Sequence, residues 1–256
     1  MLKDFTKERF DIFIQAGQSN SEGYGFGPAE HPYEPSEQVW YMNGDFTMTQ
    51  AAEKVTGNEI QTTYGLFFAR EYLAAGLLQE GRKLLILRTS VGGTGFLDHR
   101  WGMTDDLYLR MMEMIRTALE LNPENRLLGM LWHQGETDAQ LGADYDTHFR
   151  NLSGLVRSVR ETFHVPELPF IAGDFVQHWK SENAAISEPV IQAIRAVCRD
   201  CGPGAFVETD GLLSNFQQLR RTILDPDWED NIHFSRQSCD LLGQRYFDAY
   251  RKVSGR

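Results

Sequence analysis

Cysteine is scarce, with three in 256 residues, too few for the disulfide framework of a small secreted domain. Positive charge is also short. Lys+Arg 25 against Asp+Glu 36 leaves a formal charge of −11, which argues against a nucleic-acid or anionic-membrane surface, because both depend on clustered cations. No apolar run approaches the roughly 20 residues of a membrane-spanning helix. The opening MLKDFTKERFDIF contains acidic residues and no apolar h-region, so it does not read as a signal peptide and a cytoplasmic location is expected. Repeats, low-complexity tracts and linkers are missing too. What is there has globular proportions: 41% hydrophobic, 24% charged and 12% aromatic. That balance excludes disorder and coiled coil, and residues 1–256 read as a single domain.

Short apolar runs alternate with amphipathic helical patterns. Strands are expected at Asp11–Gln15, Lys83–Leu87, Leu127–Trp132, Leu168–Ala172 and Ala205–Glu208. Runs that are apolar on both faces suit a parallel sheet covered by helices. A helix capped by Thr63 is expected from Gly65 to Leu78, stopping near Gly81. Core stripes follow at Leu107, Met111, Met114, Ala118 and Leu121, then at Tyr145, Phe149, Leu152, Val156, Val159 and Phe163. A third runs through Ile186, Val190, Ile194 and Val197. Ser235 is placed to cap the last helix, which carries Leu242, Tyr246 and Tyr250. This βαβ alternation predicts a three-layer α/β/α sandwich around a mostly five-stranded parallel sheet. Ser21 to Thr62 fits no pattern and is too long for an idle connection.

Sites in such sheets lie beyond the carboxyl ends of the strands. Gly17-Gln18-Ser19-Asn20-Ser21 follows the first strand, where a tight turn can raise a nucleophilic hydroxyl toward substrate. Ser21 stands where the second glycine of G-x-S-x-G would be, so this is not the ordinary α/β-hydrolase elbow, and a simple Ser/Asn cap is the competing reading. Thr89-Ser90-Val91-Gly92-Gly93-Thr94-Gly95 follows the second strand, and its paired glycines can expose N–H groups to an anion. Trp132-His133-Gln134-Gly135-Glu136-Thr137-Asp138 follows the third; Gln134 offers an N–H₂ donor for an oxyanion. Metal ligation by His133, Glu136 and Asp138 is a rival that lacks a second histidine pair or an H-E-x-x-H pattern. In Asp230-Asn231-Ile232-His233, the acid three positions before the histidine can hold Nδ1 and leave Nε2 free as a base.

The ordered series GQSN, GGT, HQGETD and DNIH resembles the SGNH hydrolase superfamily, and within it the carbohydrate O-acetylesterases of the sialate O-acetylesterase-like and acetylxylan esterase-like branch. The resemblance implies a flavodoxin-like fold and a serine esterase that works without metal or other cofactor. It implies Ser19 as nucleophile, His233 as base and Asp230 as orienting acid. Ser19, Gly92, Gly93 and Gln134 would supply the oxyanion hole, with Gln134 where the wider superfamily has asparagine and the choice between Gly92 and Gly93 open. Gln18, His133 and Glu136 would support, Glu136 being a second claimant to the orienting role. The implied partners are an acetylated carbohydrate and water, with no nucleic acid or membrane. Other SGNH activities (a short-chain lipid esterase or thioesterase) and a non-catalytic glycan-binding module are the alternatives.

Weaker features stand beside these. Tyr24, Trp40 and Trp101 are candidates to stack on a sugar face. Gly23-Tyr24-Gly25-Phe26-Gly27 misses the G-x-G-x-x-G spacing, and Cys198-Arg199-Asp200-Cys201 reads as incidental thiols.

Overall fold

The structure is a computed structural model that describes residues 4–255. Met1, Leu2 and Lys3 of the opening segment, and Arg256, lie outside the described residues. One sheet has the spatial order β10 (Gly204–Val207), β9 (Phe170–Gly173), β8 (Arg126–His133), β1 (Arg9–Gly17), β7 (Arg82–Arg88), β3 (Val39–Met42) and β4 (Met48–Gln50). All its pairings are parallel except β3 with β4. A small antiparallel sheet is made of β2 (Gly25–Pro28), β6 (Glu59–Thr62) and β5 (Lys54–Thr56).

Helices α2 (Tyr64–Ala74) and α9 (Arg236–Ser254) pack together over one face of the large sheet. There Phe13 of β1 meets Phe68 at 4.8 Å and Tyr250 at 5.1 Å between ring centroids. On the other face lie α3 (Asp106–Glu120), α5 (Tyr145–Thr162) and α7 (Ala184–Asp200), with Tyr108 of α3 bonded to Ser158 of α5 at 2.5 Å. Four short helices, α1 (Ser19–Glu22), α4 (Glu136–Gln140), α6 (Gln177–Glu182) and α8 (Asn215–Leu219), follow β1, β8, β9 and β10 at the C-terminal edge. The expected three-layer α/β/α architecture is therefore observed. Strand β1 sits between β7 and β8, so the order reverses at its carboxyl end, where a crevice forms in open α/β sheets.

The sheet has seven strands where five were expected. The two extra come from the unpatterned Ser21–Thr62 stretch, which also supplies all three strands of the small sheet. Each is only three or four residues long, too short for alternation to be read. Helix α2 ends at Ala74, because Gly76 turns the chain at φ +68° well before Gly81. Thr63 does not cap it through its side chain; its hydroxyl donates to Ser21 O instead. Most stripe residues are buried, but Tyr145 and Ile186 sit on the first turns of α5 and α7 and are exposed. Ser235 caps α9 by accepting from Ser238 N–H at 3.2 Å.

At the N-terminal edge Asp11 is wholly buried and held by Arg82 Nε and Arg126 Nε, each at 2.6 Å, and by Tyr72 OH at 3.1 Å. Burial pushes its carboxyl up, but the bonds from Arg126 and Arg82 outweigh that and leave it below the usual range. Among the described residues, no helix is long and apolar enough to cross a membrane.

Candidate active site

The turn after β1 is possible only with glycine. Gly17 has φ +129°, and a Cβ there would stand 2.1 Å from the carbonyl oxygen of His133. That contact lets Gln18 N–H reach the same oxygen at 3.0 Å, tying the end of β1 to β8. Gln18 Oε1 also accepts from Thr137 N–H at 3.2 Å. Ser19, buried, opens the four-residue α1, and its N–H has no acceptor among the described residues.

Asn20 links this turn to the histidine loop. Its Nδ2 donates to Ile232 O at 3.0 Å and its Oδ1 accepts from Phe234 N–H at 3.0 Å, gripping the backbone on both sides of His233. Asp230 Oδ1 lies 2.8 Å from His233 Nδ1. The ring N–H is not aimed squarely at that oxygen, so this is a close contact short of a well-aligned hydrogen bond. Asp230 is fixed independently: Oδ2 accepts from Asn215 Nδ2 at 2.7 Å and Oδ1 from His233 N–H at 3.1 Å. Tyr24 stacks on the His233 ring at 4.9 Å and Trp228 meets it edge-on at 5.9 Å.

Gly92 is where the pieces meet. A Cβ there would lie 3.5 Å from Ser19 Cβ, 3.5 Å from Tyr24 OH and 3.2 Å from Glu22 Oε2. Its N–H donates to Glu22 Oε2 at 2.6 Å. Gly93, at φ +66° and exposed, has no acceptor for its N–H among the described residues. Of the two glycines left open by the sequence, Gly93 is the one with a free donor.

Glu136 is wholly buried below this turn and its Oε1 accepts from Asn20 Nδ2 at 2.9 Å, while Oε2 has no partner. Burial pushes its carboxyl up to about 7, against the opposing pull of its own N–H, Asn20 and His233. It reaches the histidine loop through Asn20, and Asp230 holds the place at Nδ1. His133 is equally buried, and burial lowers its pKa to about 3, so it is neutral. Tyr246 OH donates to Trp132 O at 2.7 Å, so at 2.9 Å it accepts from His133 Nδ1–H.

Two expectations need correction. Gln134 does not present a free donor: Nε2 gives its hydrogens to Asp138 Oδ2 at 2.8 Å and Thr94 O at 3.3 Å. A flipped amide would turn its oxygen on the Asp138 carboxylate, so the orientation is fixed. Gln134 tethers the GGT loop. Neither Trp101 nor Trp40 is placed to stack on a sugar here. Trp101 is wholly buried with Nε1 on Thr94 Oγ1 at 3.0 Å. Trp40 packs on Phe5 at 5.0 Å and lies level with Leu85 in the middle of β7, short of the carboxyl end that carries the GGT loop.

Sequence reasoning missed Asn20 and Asp138 as organisers. Asp138 accepts from Phe96 N–H at 2.9 Å and Leu97 N–H at 2.8 Å, so it folds the loop after Gly95. Its presence in HQGETD was the only signal. Trp228 was missed because nothing in its surroundings shows a pattern. Among the described residues no group of three or more His, Cys, Asp or Glu side chains is arranged to hold a metal ion. Cys198, Cys201 and Cys239 are free thiols, and burial pushes Cys198 up to about 12.

A serine turn at the switch point, tied through Asn20 to a loop that carries a His–Asp pair, is an arrangement that acyl-transfer hydrolases use. A family profile described as "Carbohydrate esterase, sialic acid-specific acetylesterase" matches residues 9–252. The chain belongs to this family and is thus a carboxylic ester hydrolase of O-acetylated carbohydrate. It is 26% identical over 222 residues to an Escherichia coli (strain K12) protein named "Probable 9-O-acetyl-N-acetylneuraminic acid deacetylase", covering 66% of this chain and 68% of that one. It is 25% identical over 178 residues to a protein of Arabidopsis thaliana named as a probable carbohydrate esterase, covering 62% and 66%. The solved structure of NanS superposes with a TM-score of 0.80 at 18% identity, covering 96% of this chain and 98% of that chain. XAC1771, a carbohydrate acetylesterase from Xanthomonas citri, gives 0.58 at 18% identity, over 96% of this chain and 56% of the other. These likenesses show a shared fold.

Proposed function

We propose that the chain, acting as one catalytic domain, removes O-acetyl groups from a sialic acid with Ser19 as nucleophile. The observation that carries this reading is the 2.8 Å contact of Asp230 with His233, on a loop gripped by Asn20, the residue next to Ser19. Ser19 Oγ attacks the acetyl carbonyl and His233 Nε2 takes its proton. Asp230, at Nδ1, fixes the tautomer and stabilises the imidazolium. The developing oxyanion is received by Ser19 N–H and Gly93 N–H, with Gln134 and Trp101 holding the loop through Thr94. His233 then protonates the departing sugar hydroxyl. Water, activated by the same histidine, attacks the acetyl-serine and releases acetate. Tyr24 and Trp228 flank the histidine and offer ring surface to the sugar. The choice of sialic acid is supported by the family's description and by the name of the Escherichia coli relative.

Acetate release from acetylated sialic acids, xylo-oligosaccharides and hexoses tests this. Ser19→Ala should lower kcat by about 10⁶, the measured cost of removing the nucleophile of a serine protease, with circular dichroism unchanged. Full activity in that variant ends the assignment, and faster turnover of acetylated xylan than of acetylated sialic acid moves the substrate. A chelator should leave the rate unchanged.

A further inference from the structure

We propose that a cavity walled by Arg88 and Arg110 is the subsite that holds the substrate's carboxylate beside the nucleophile. The inference rests on the Ser19 reading and names the residues that would set its preference for an acidic sugar. The cavity, about 230 Å³, is bordered by Ser21 and Glu22, which follow Ser19 in α1, and by Ser90 and Val91, which precede Gly92. The residue after Val91 is Gly92, where a Cβ would stand 3.5 Å from Ser19 Cβ, so the cavity lies next to the turn that carries the nucleophile.

Its two guanidiniums are under-used. Arg88 donates from Nη2 to Glu22 O at 2.7 Å and lies over the Tyr41 ring at 5.0 Å. Arg110 donates from Nη2 to Thr89 O at 2.9 Å, and its buried Nε has no partner among the described residues. Arg70 and Arg100, by contrast, are each locked onto an aspartate. Every guanidinium carries five N–H donors in a fork that matches a carboxylate, so most of the donors here are unspent on protein acceptors. Two carboxylates oppose these cations: Asp106, which is held by Arg100, and Glu22, which lines the cavity and whose Oε2 accepts from Gly92 N–H. A second cavity, about 270 Å³, shares Glu22 and Arg88 and adds Lys54. On a chain of charge −11, the general field repels an anionic sugar, and a local cluster of cations is what reverses it. One sugar would then be held at two points: its acetyl ester at Ser19 and its carboxylate between the arginines.

Carboxylate chemistry of this kind occurs in sialic and hexuronic acids, and the test separates them. kcat/KM is measured for an O-acetylated N-acetylneuraminic acid and for an O-acetylated hexuronic acid, each against its own carboxyl methyl ester. In the wild type at least one acid should exceed its ester by about ten- to a hundredfold, the worth of charge-assisted hydrogen bonds. Arg88→Gln and Arg110→Gln should each bring that ratio toward one. A ratio within one enzyme does not depend on the folded fraction, so a partly unfolded variant still reports. Ratios near one for both pairs in the wild type, or an undiminished ratio in both variants, overturn the subsite. Turnover that persists in Ser19→Ala overturns the nucleophile instead and leaves the ratio standing.

Discussion

At the N-terminal end of β1, Asp11 spends both carboxylate oxygens on Arg82, Arg126 and Tyr72. At the carboxyl end, a few residues away, His133 Nε2, Gln134 Oε1 and Glu136 Oε2 are buried with no partner among the described residues. Both ends bury polar groups at similar depth in the same sheet. One closes its electrostatics completely and so contributes specificity of fold. The other leaves polar atoms unsatisfied at the end of β8 that adjoins the Ser19 turn, a cost in stability that native proteins tolerate mainly where chemistry is done.

Variants at the two ends should therefore fail in different ways. The largest effect is expected at the open end: Asp230→Asn should lower kcat by up to about 10⁴, as the corresponding change does in a Ser-His-Asp triad, with the melting temperature nearly unchanged. At the closed end, Asp11→Ala strands two arginines and should cost about 3–5 kcal/mol of stability. That is a fall on the order of 10 °C in Tm, with kcat of the folded fraction preserved. An Asp11 variant that lost kcat without losing Tm would erase the contrast.

Glu136 sharpens it through pH. Its carboxyl stays protonated in the folded protein up to about pH 7 but ionises from the ordinary 4.5 in the unfolded chain. The folded state binds the extra proton across that window, so stability should fall as pH rises from about 4.5 to 7, by on the order of 3 kcal/mol, and level off above it. Denaturant titrations at pH 5 and 8 should show this slope in the wild type, and Glu136→Gln should flatten it. Smallest of all, Tyr24→Leu should raise KM by less than tenfold, the worth of one stacking contact.

What could be read in advance follows the same division. Strands β1, β7, β8 and β9 announce themselves because burial on both faces demands continuous apolar runs, as in Asp11–Gln15 and Leu127–Trp132. Strands β3 and β4 do not, since four residues beside the edge and three at it leave no period. Ser19, Asp230 and His233 are legible as motifs, the last two because they are close in sequence. Asn20 and Asp138 are not, because their work is done on backbone groups at residues 232 and 234, and at 96 and 97. Gln134 carries the right amide for an oxyanion donor, but Asp138 and Thr94 take its hydrogens, and only tertiary structure reveals that competition. Trp101 likewise looks like a sugar platform until its indole is found inside the loop it supports.

The most direct test of the account is covalent. A fluorophosphonate reacts only with a serine whose hydroxyl is activated and whose oxyanion is received. Peptide mapping by mass spectrometry after such treatment should find one adduct, on Ser19, and His233→Ala should abolish it while the protein stays folded. An adduct on any other serine, or labelling of Ser19 that is indifferent to the loss of His233, would contradict the site assembled here.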